Sequence, residues 1–251
     1  MDKKPKIGIF SLTSCEGCQF ALLDLAEKFF NFTKKTEVID FPLIEDEPFP
    51  EDIKLDVAFV EGTPITSDNV IILKKIREET KLLVVIGNCA ALGGINKIKN
   101  YQDKDKIVKR IFRAANAVDN PKIRSVSDFV KVDFTIPGCP INGEEFLAIA
   151  EELIKGNIPK IKEKPVCSEC VHQGKETCFL RKKELCFGPI ILAGCKAVCP
   201  ASDFPCYGCR GVLKNINPKG FLAALKKISS SEDIKADLEI FGIKDDLEKF
   251  L

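Results

Sequence analysis

The chain has 251 residues, 45% of them hydrophobic, enough for one large α/β domain or one domain with a smaller appendage. Lys and Arg total 38 and Asp and Glu 37, a formal charge of +1, so the composition offers no basic surface for a nucleic-acid partner. No apolar run reaches the roughly 18 residues that span a bilayer, and no secretory or twin-arginine signal precedes the first strand, so a cytoplasmic protein with no membrane span is expected.

Lys6–Leu12 is a short apolar run and reads as a strand. Thr13 and Ser14 end it, Cys15 and Cys18 follow, and Gln19–Phe30 has the spacing of an amphipathic helix. Further strands are expected at Glu37–Leu43, Val57–Glu61, Leu82–Gly87 and Phe134–Pro137. Several are continuously apolar, as strands buried on both faces are. Helices are expected at Ser67–Thr80, with Ser67 and Asp68 as its N-cap region, at Asp103–Val118 and at Asn142–Lys155. Alternating β and α units imply an α/β domain over residues 1–160, built on a mostly parallel, doubly wound sheet.

From Gly156 the stretch GNIPKIKEKP is polar, carries two prolines and reads as a linker. Residues 161–217 hold eight of the twelve cysteines and too few apolar residues for a core of their own, so this segment is expected to be mostly irregular and to need cross-links or metals. Residues 218–251 form a tail with one helix at Lys219–Ile228 and a charged end.

Twelve cysteines in a reducing compartment argue for metal binding over six disulfides. Cys15 and Cys18 follow the first strand, Cys89 the fourth and Cys139 the fifth. Ligands of open α/β sheets bind beyond the C-terminal strand ends, which brings these four thiols to one edge. Four thiols suit iron–sulfur or zinc. Compact zinc sites draw on two nearby knuckles, and a redox CxxC needs no two further partners, so the order of readings is iron–sulfur, zinc, redox disulfide. The bland alternative is that Cys89 and Cys139 are small buried hydrophobes.

The appendage runs Cys167-x2-Cys170-x7-Cys178-x7-Cys186-x8-Cys195-x3-Cys199-Pro200-x5-Cys206-x2-Cys209. Eight ligands make two more four-thiol sites, so twelve fill three with none left over. Cys199-Pro200 resembles the end of a bacterial ferredoxin run, whose last Cys serves the other cluster, so crossed pairing stays open. Zinc ribbons built on the two CxxC halves are the competing reading, against which stands the missing basic, aromatic surface. His172, the single histidine, is assigned a surface or supporting role because the cysteine count closes without it.

The motifs TSCEGCQ, VEGTP, GNCAALGG, PGCPING and CFGPIILAGCKAVCP…CYGC, between residue 6 and about 215, resemble the small, iron–sulfur subunit of [NiFe] hydrogenases. The likeness is strongest to the cytoplasmic branch: sulfhydrogenase δ subunits and the small subunits of F420-non-reducing hydrogenases. The resemblance implies a flavodoxin-like sheet and three [4Fe–4S] clusters. Cys15, Cys18, Cys89 and Cys139 match the proximal cluster, and Cys167, Cys170, Cys178 and Cys186 the distal one. Cys195, Cys206 and Cys209 match the medial cluster, where Cys199 adds a fourth thiol that favours [4Fe–4S] over [3Fe–4S]. Membrane-type relatives have His where Cys167 stands. Glu61 and, behind it, Glu16 are supporting or proton-transfer candidates, with a solvated or interface carboxylate as the alternative for each. No nickel motif and no GxGxxG fingerprint is present, so the implied partners are a nickel-bearing large subunit and a flavin/iron–sulfur acceptor subunit. The expected function is electron transfer within an oxidoreductase acting on H2. The alternatives are a subunit like the 20 kDa subunit of complex I and a zinc-binding structural interaction module. The terminal acceptor stays open.

Overall fold

A computed structural model describes residues 3–44, 53–119, 121–161 and 163–250, so Met1, Asp2 and Lys162 of the linker lie outside the described residues. Five strands form one sheet: β1 Lys6–Ser11, β2 Glu37–Asp40, β3 Leu55–Glu61, β4 Thr80–Ile86 and β5 Phe134–Ile136. Their order is β2-β1-β3-β4-β5 and every pairing is parallel. This is the flavodoxin-like order, with the switch of direction between β1 and β3. The five strands expected from sequence are all present, each shifted by no more than a few residues at its ends.

The central strands β1, β3 and β4 are buried on both faces because helices cover both. Ile7, Ile9, Val57, Phe59, Val84 and Ile86 point into one core. Phe10, Ala58, Val60, Leu83 and Val85 point into the other. The register Ser11↔Glu61↔Ile86↔Ile136 aligns the C-terminal strand ends, from which the cysteine-bearing turns leave.

The single helix expected at Gln19–Phe30 is two: α1 Gly17–Leu23 and α2 Glu27–Thr33, broken at Ala26 with φ 47. No Gly or Pro marks that break. It sits where the helix Gly143–Leu153 crosses: a Cβ on Gly143 would lie 2.7 Å from the Ala21 carbonyl and 3.0 Å from Leu25. Helix α3 covers Ser67–Glu79, and its N-cap is Thr66, one residue before the expected region. Thr66 Oγ1 accepts from Asn69 N and Asn69 Oδ1 accepts from Thr66 N, a reciprocal capping box. A short α4, Gly87–Leu92, carries Cys89. Helix α5 is Lys104–Ile111, shorter than the expected Asp103–Val118. It buries none of its residues, so no packing extends it beyond its capped first turns. Helix α6, Gly143–Leu153, is capped by Asn142 and buries Phe146, Ile149, Ala150 and Leu153 against the sheet.

The cysteine-rich segment is mostly irregular, with one short helix, α7 Val198–Ala201. It does not stand alone. The tail folds into α8 Pro218–Leu225, α9 Ser231–Ile240 and α10 Lys244–Leu247. Their Leu222, Leu225, Ile234, Leu238 and Leu247 share one core with Val166, Phe179, Phe187, Ile190 and Ile191. The apolar area missing from residues 161–217 is thus supplied by the tail. Lys97 Nζ and Tyr101 Oη both reach Asp245, at 2.7 and 2.9 Å, and tie the tail back to the first domain. Among the described residues, no helix is long and apolar enough to cross a membrane.

Candidate functional site

The turn after β1 carries Cys15, which is exposed, and Cys18, which is buried. Between them Glu16 adopts a left-handed backbone, φ 61, and offers α1 no side-chain cap. The cap comes from the neighbouring strand. Glu61, the last residue of β3, is 2% exposed. Its Oε1 accepts from Cys18 N at 3.1 Å, and its Oε2 from Gln19 N at 3.3 Å and Gln19 Nε2 at 3.1 Å. A buried carboxylate thereby satisfies the orphan donors at the start of α1. The Glu16 side chain, by contrast, has no hydrogen-bond or ion-pair partner among the described residues.

Cys89 follows β4 and Cys139 follows β5. Burial pushes the Cys89 thiol up to about 11, helped by the nearby Cys139, Cys15 and Glu61. Cys139 is raised by burial, then by Cys15, Glu61 and Cys199. Cys18 is raised by burial, then chiefly by Glu61, while an Ile141 backbone hydrogen bond pulls the other way. These four thiols therefore sit within electrostatic reach of one another. Gly87 makes one approach feasible: its φ is +84, and a Cβ there would lie 2.5 Å from Cys18 Sγ. Thr63 Oγ1 donates to the Cys89 and Gly93 carbonyls at 3.2 and 3.3 Å, and Asn88 N donates to Gly138 O at 2.7 Å, so the β3, β4 and β5 turns are fastened together.

The appendage repeats the pattern twice. Cys167 is pushed to about 11 by burial, then by Cys186, Cys170 and Cys178. Cys209 is pushed to about 12 by burial, with Cys195, Cys139 and Cys199 as charged neighbours. Cys206 is raised by burial and by Cys186, Cys209 and Cys195, and Cys199 by burial and Cys195. Most of these neighbours fall within Cys15/Cys18/Cys89/Cys139, Cys167/Cys170/Cys178/Cys186 and Cys195/Cys199/Cys206/Cys209, but some cross between them: Cys186 acts on Cys206, Cys139 on Cys209 and Cys199 on Cys139. Two contacts link the sets in a row. The Cys139 backbone faces the Cys209 thiol and pulls it down against the effect of burial. Cys206 N donates to Cys186 Sγ at 3.3 Å.

Four thiols to a set, with Cys18, Cys186 and Cys206 buried and Cys15, Cys139 and Cys199 at the surface, fit a thiolate-ligated metal group. Burial raises the Cys18, Cys89, Cys167, Cys206 and Cys209 thiols, and a positively charged metal centre would favour their thiolates. A lone zinc needs its sulfurs about 2.3 Å from one point. Among the described residues no three His, Cys, Asp or Glu side chains converge in that way.

His172 lies outside the thiol sets. Its Nε2 donates to the Pro200 carbonyl at 2.8 Å, so Nδ1 is left to accept from Thr177 Oγ1 at 2.9 Å. Both ring nitrogens are used in bracing the loop of the second set against α7.

Sequence reasoning missed three residues here. Arg210 is 3% exposed. Its Nη1 and Nη2 hold Glu145 Oε2 and Oε1 at 2.7 and 2.8 Å. Asn88 Nδ2 donates to the Cys209 carbonyl at 2.8 Å and so joins α4 to the appendage. The one signal for Arg210 in the sequence is its place directly after the final CxxC.

A family model described as NADH ubiquinone oxidoreductase, 20 Kd subunit, matches residues 15–153. The chain is 34% identical over 240 residues to "Sulfhydrogenase 2 subunit delta" of Pyrococcus furiosus, covering 94% of this chain and 99% of that one. It is 32% identical over 236 residues to a subunit of the vhu F420-non-reducing hydrogenase of Methanocaldococcus jannaschii, covering 82% of this chain and 81% of that one. Among solved structures it superposes on a chain of the actinobacterial-type NiFe-hydrogenase from Ralstonia eutropha H16 with TM-score 0.61 and 16% identity, over 98% of this chain and 92% of that one. An NAD+-reducing [NiFe]-hydrogenase in the H2-reduced state matches with TM-score 0.56 and 23% identity, over 64% of this chain and 96% of that one. At these identities the two structures speak for the fold.

Proposed function

Because this chain belongs to the NADH ubiquinone oxidoreductase 20 kDa subunit family, among the hydrogenase small and delta subunits, we propose that it is the electron wire of a cytoplasmic [NiFe] hydrogenase. The family model ends at residue 153, before the appendage, whereas the likeness to the sulfhydrogenase delta subunit runs over 94% of the chain. That full-length match favours the hydrogenase branch over a complex I-type subunit with one cluster.

The observation that carries the reading is the run of contacts between cysteine-bearing segments, from Asn88 Nδ2 beside Cys89 to the Cys209 carbonyl and from Cys206 N to Cys186 Sγ. In it Cys15, Cys18, Cys89 and Cys139 hold the proximal [4Fe–4S] cluster, Cys195, Cys199, Cys206 and Cys209 the medial one, and Cys167, Cys170, Cys178 and Cys186 the distal one. Iron–sulfur clusters supply one-electron redox chemistry when bound. The chain's own residues do the rest. Glu61 fixes the start of α1 and with it Cys18. The Ile141 backbone faces the Cys18 thiol and the Ile95 backbone the Cys89 thiol, and each favours the thiolate there. Exposed Cys15 and Cys139 mark the edge that faces a nickel-bearing large subunit. The distal loop faces a flavin/iron–sulfur acceptor subunit, and electrons run in either direction.

Anaerobic purification of the native complex tests this. The chain should be brown, hold about twelve iron and twelve sulfide, and come with a nickel-containing partner that reduces viologen with H2. A colourless chain with zinc and no sulfide overturns the reading.

A further inference from the structure

We propose that Arg210 and Glu145 form a buried clamp that sets the separation of the proximal and medial sites, and hence the ease of electron passage between them. The inference rests on the electron-wire reading above and adds a positioning pair that lies outside the thiol sets.

Arg210 follows Cys209 directly. Its guanidinium side chain is 1% exposed and grips three separate stretches of chain. Nη1 donates to the Pro137 carbonyl at 2.7 Å, two residues before Cys139. Nε donates to the Leu192 and Ala193 carbonyls at 3.1 and 3.0 Å, two residues before Cys195. The fork closes on Glu145 near the start of α6, a helix that follows the Cys139 loop. One planar group therefore holds Cys139 of the proximal set and Cys195 and Cys209 of the medial set in a fixed relation.

The surroundings are cut to that group. A Cβ on Gly194 would run into both Arg210 Nη2 and Glu145 Oε1, and Gly194 has φ +120, so the chain leaves the space to the clamp. Asn88 reinforces the same junction by donating to Gly138 O through its backbone and to Cys209 O through Nδ2. A lysine cannot replace Arg210, since a single ammonium cannot hold a carboxylate and three carbonyls in one plane.

The pair is tested in the intact complex with Arg210→Met/Glu145→Leu, which removes both buried charges together and so leaves neither one stranded. Arg210→Lys and Glu145→Gln accompany it. Iron and sulfide content, low-temperature EPR of the reduced protein and potentiometric titration are read for each. With iron at the wild-type level, the magnetic interaction between proximal and medial clusters should weaken, the medial midpoint potential should shift, and H2-to-viologen electron transfer should slow by about tenfold, as placement-dependent rates do. Arg210→Lys should restore none of these. An unchanged interaction and potential in the iron-replete double variant overturns the clamp, as does full rescue by Arg210→Lys, which would make charge alone responsible. Should the double variant fail to fold, Glu145→Gln decides: it keeps one acceptor for the fork, so a smaller change in the same direction supports the clamp and an unchanged spectrum overturns it. Wild-type protein without iron overturns the electron-wire reading itself, an outcome distinct from an iron-replete set of variants with unaltered coupling.

Discussion

Glu61 Oε1 accepts the backbone N–H of Cys18 at 3.1 Å, so a carboxylate at the end of β3 caps the helix that starts on the neighbouring β1 turn. The arrangement is possible because β1 and β3 are adjacent and in register, Ser11 opposite Glu61. Glu61→Ala leaves the Cys18 and Gln19 donors buried without a partner and should cost about 2–4 kcal/mol. Glu61→Gln keeps an acceptor and should cost about half of that. Urea unfolding of the anaerobic complex measures both. Iron loss in Glu61→Ala should fall on the proximal site first. Equal stability of wild type and Glu61→Ala would show that the cap does not hold α1.

Much of this was legible in the sequence because strands buried on both faces are long apolar runs, and β1, β3 and β4 are of that kind. The thiols could be found because cysteine is rare enough for its spacing to be read. The parts that were not legible are those decided by tertiary contact. The break at Ala26 carries no Gly or Pro and coincides with the crossing of α6. The end of α5 is set by its lack of any buried face. Beyond the expected helix Lys219–Ile228 the tail reads as a charged end, yet its Leu238 and Leu247 help complete the appended core. Arg210 and Glu145 lie far apart in sequence, and an Arg–Glu pair is invisible there until the fold brings it together.

The missing side chain of Gly87 leaves room for the Cys18 thiol. Gly87→Ala puts a methyl group 2.5 Å from Cys18 Sγ at a position with φ +84. The strain of a non-glycine residue there costs of order 1–3 kcal/mol, and the displaced sulfur is lost as a ligand in place. The expected outcome is a folded chain short of about four iron, with the proximal EPR signal missing and the other two retained. Iron analysis with EPR checks it, and a full complement of iron would refute it.

Asp133 anchors the start of β5 and gives the fold a pH-sensitive point. Burial pushes its carboxyl up, but the Leu83 N–H, Arg77 and Lys131 outweigh that and hold it below the ordinary carboxylate value of 3.8. A depressed folded value means the stabilisation is fully present above the unfolded value and is lost as pH falls through the folded one. Asp133→Asn should therefore lower stability by about 1–3 kcal/mol at neutral pH, and the gap to wild type should close below about pH 4. Urea midpoints measured from neutral to acid pH decide it. A gap that stays constant across that range would mean that the charge contributes nothing.

His172 separates a bracing role from a ligand role. Its Nε2 faces the Pro200 carbonyl at 2.8 Å and Nδ1 faces Thr177 Oγ1 at 2.9 Å, with the ring edge-on to Phe179 at 5.5 Å between centroids. Neither nitrogen is free to bind iron without giving up a hydrogen bond that holds the distal loop to α7. His172→Ala should thus keep its iron and its distal EPR signal while losing about 1–2 kcal/mol from the two hydrogen bonds. Loosening this brace should also make the loop from Val171 to Leu180 more open to hydrogen exchange than in wild type. A chain that loses about four iron on this substitution would make the histidine a ligand and displace one of the four cysteines from the distal set.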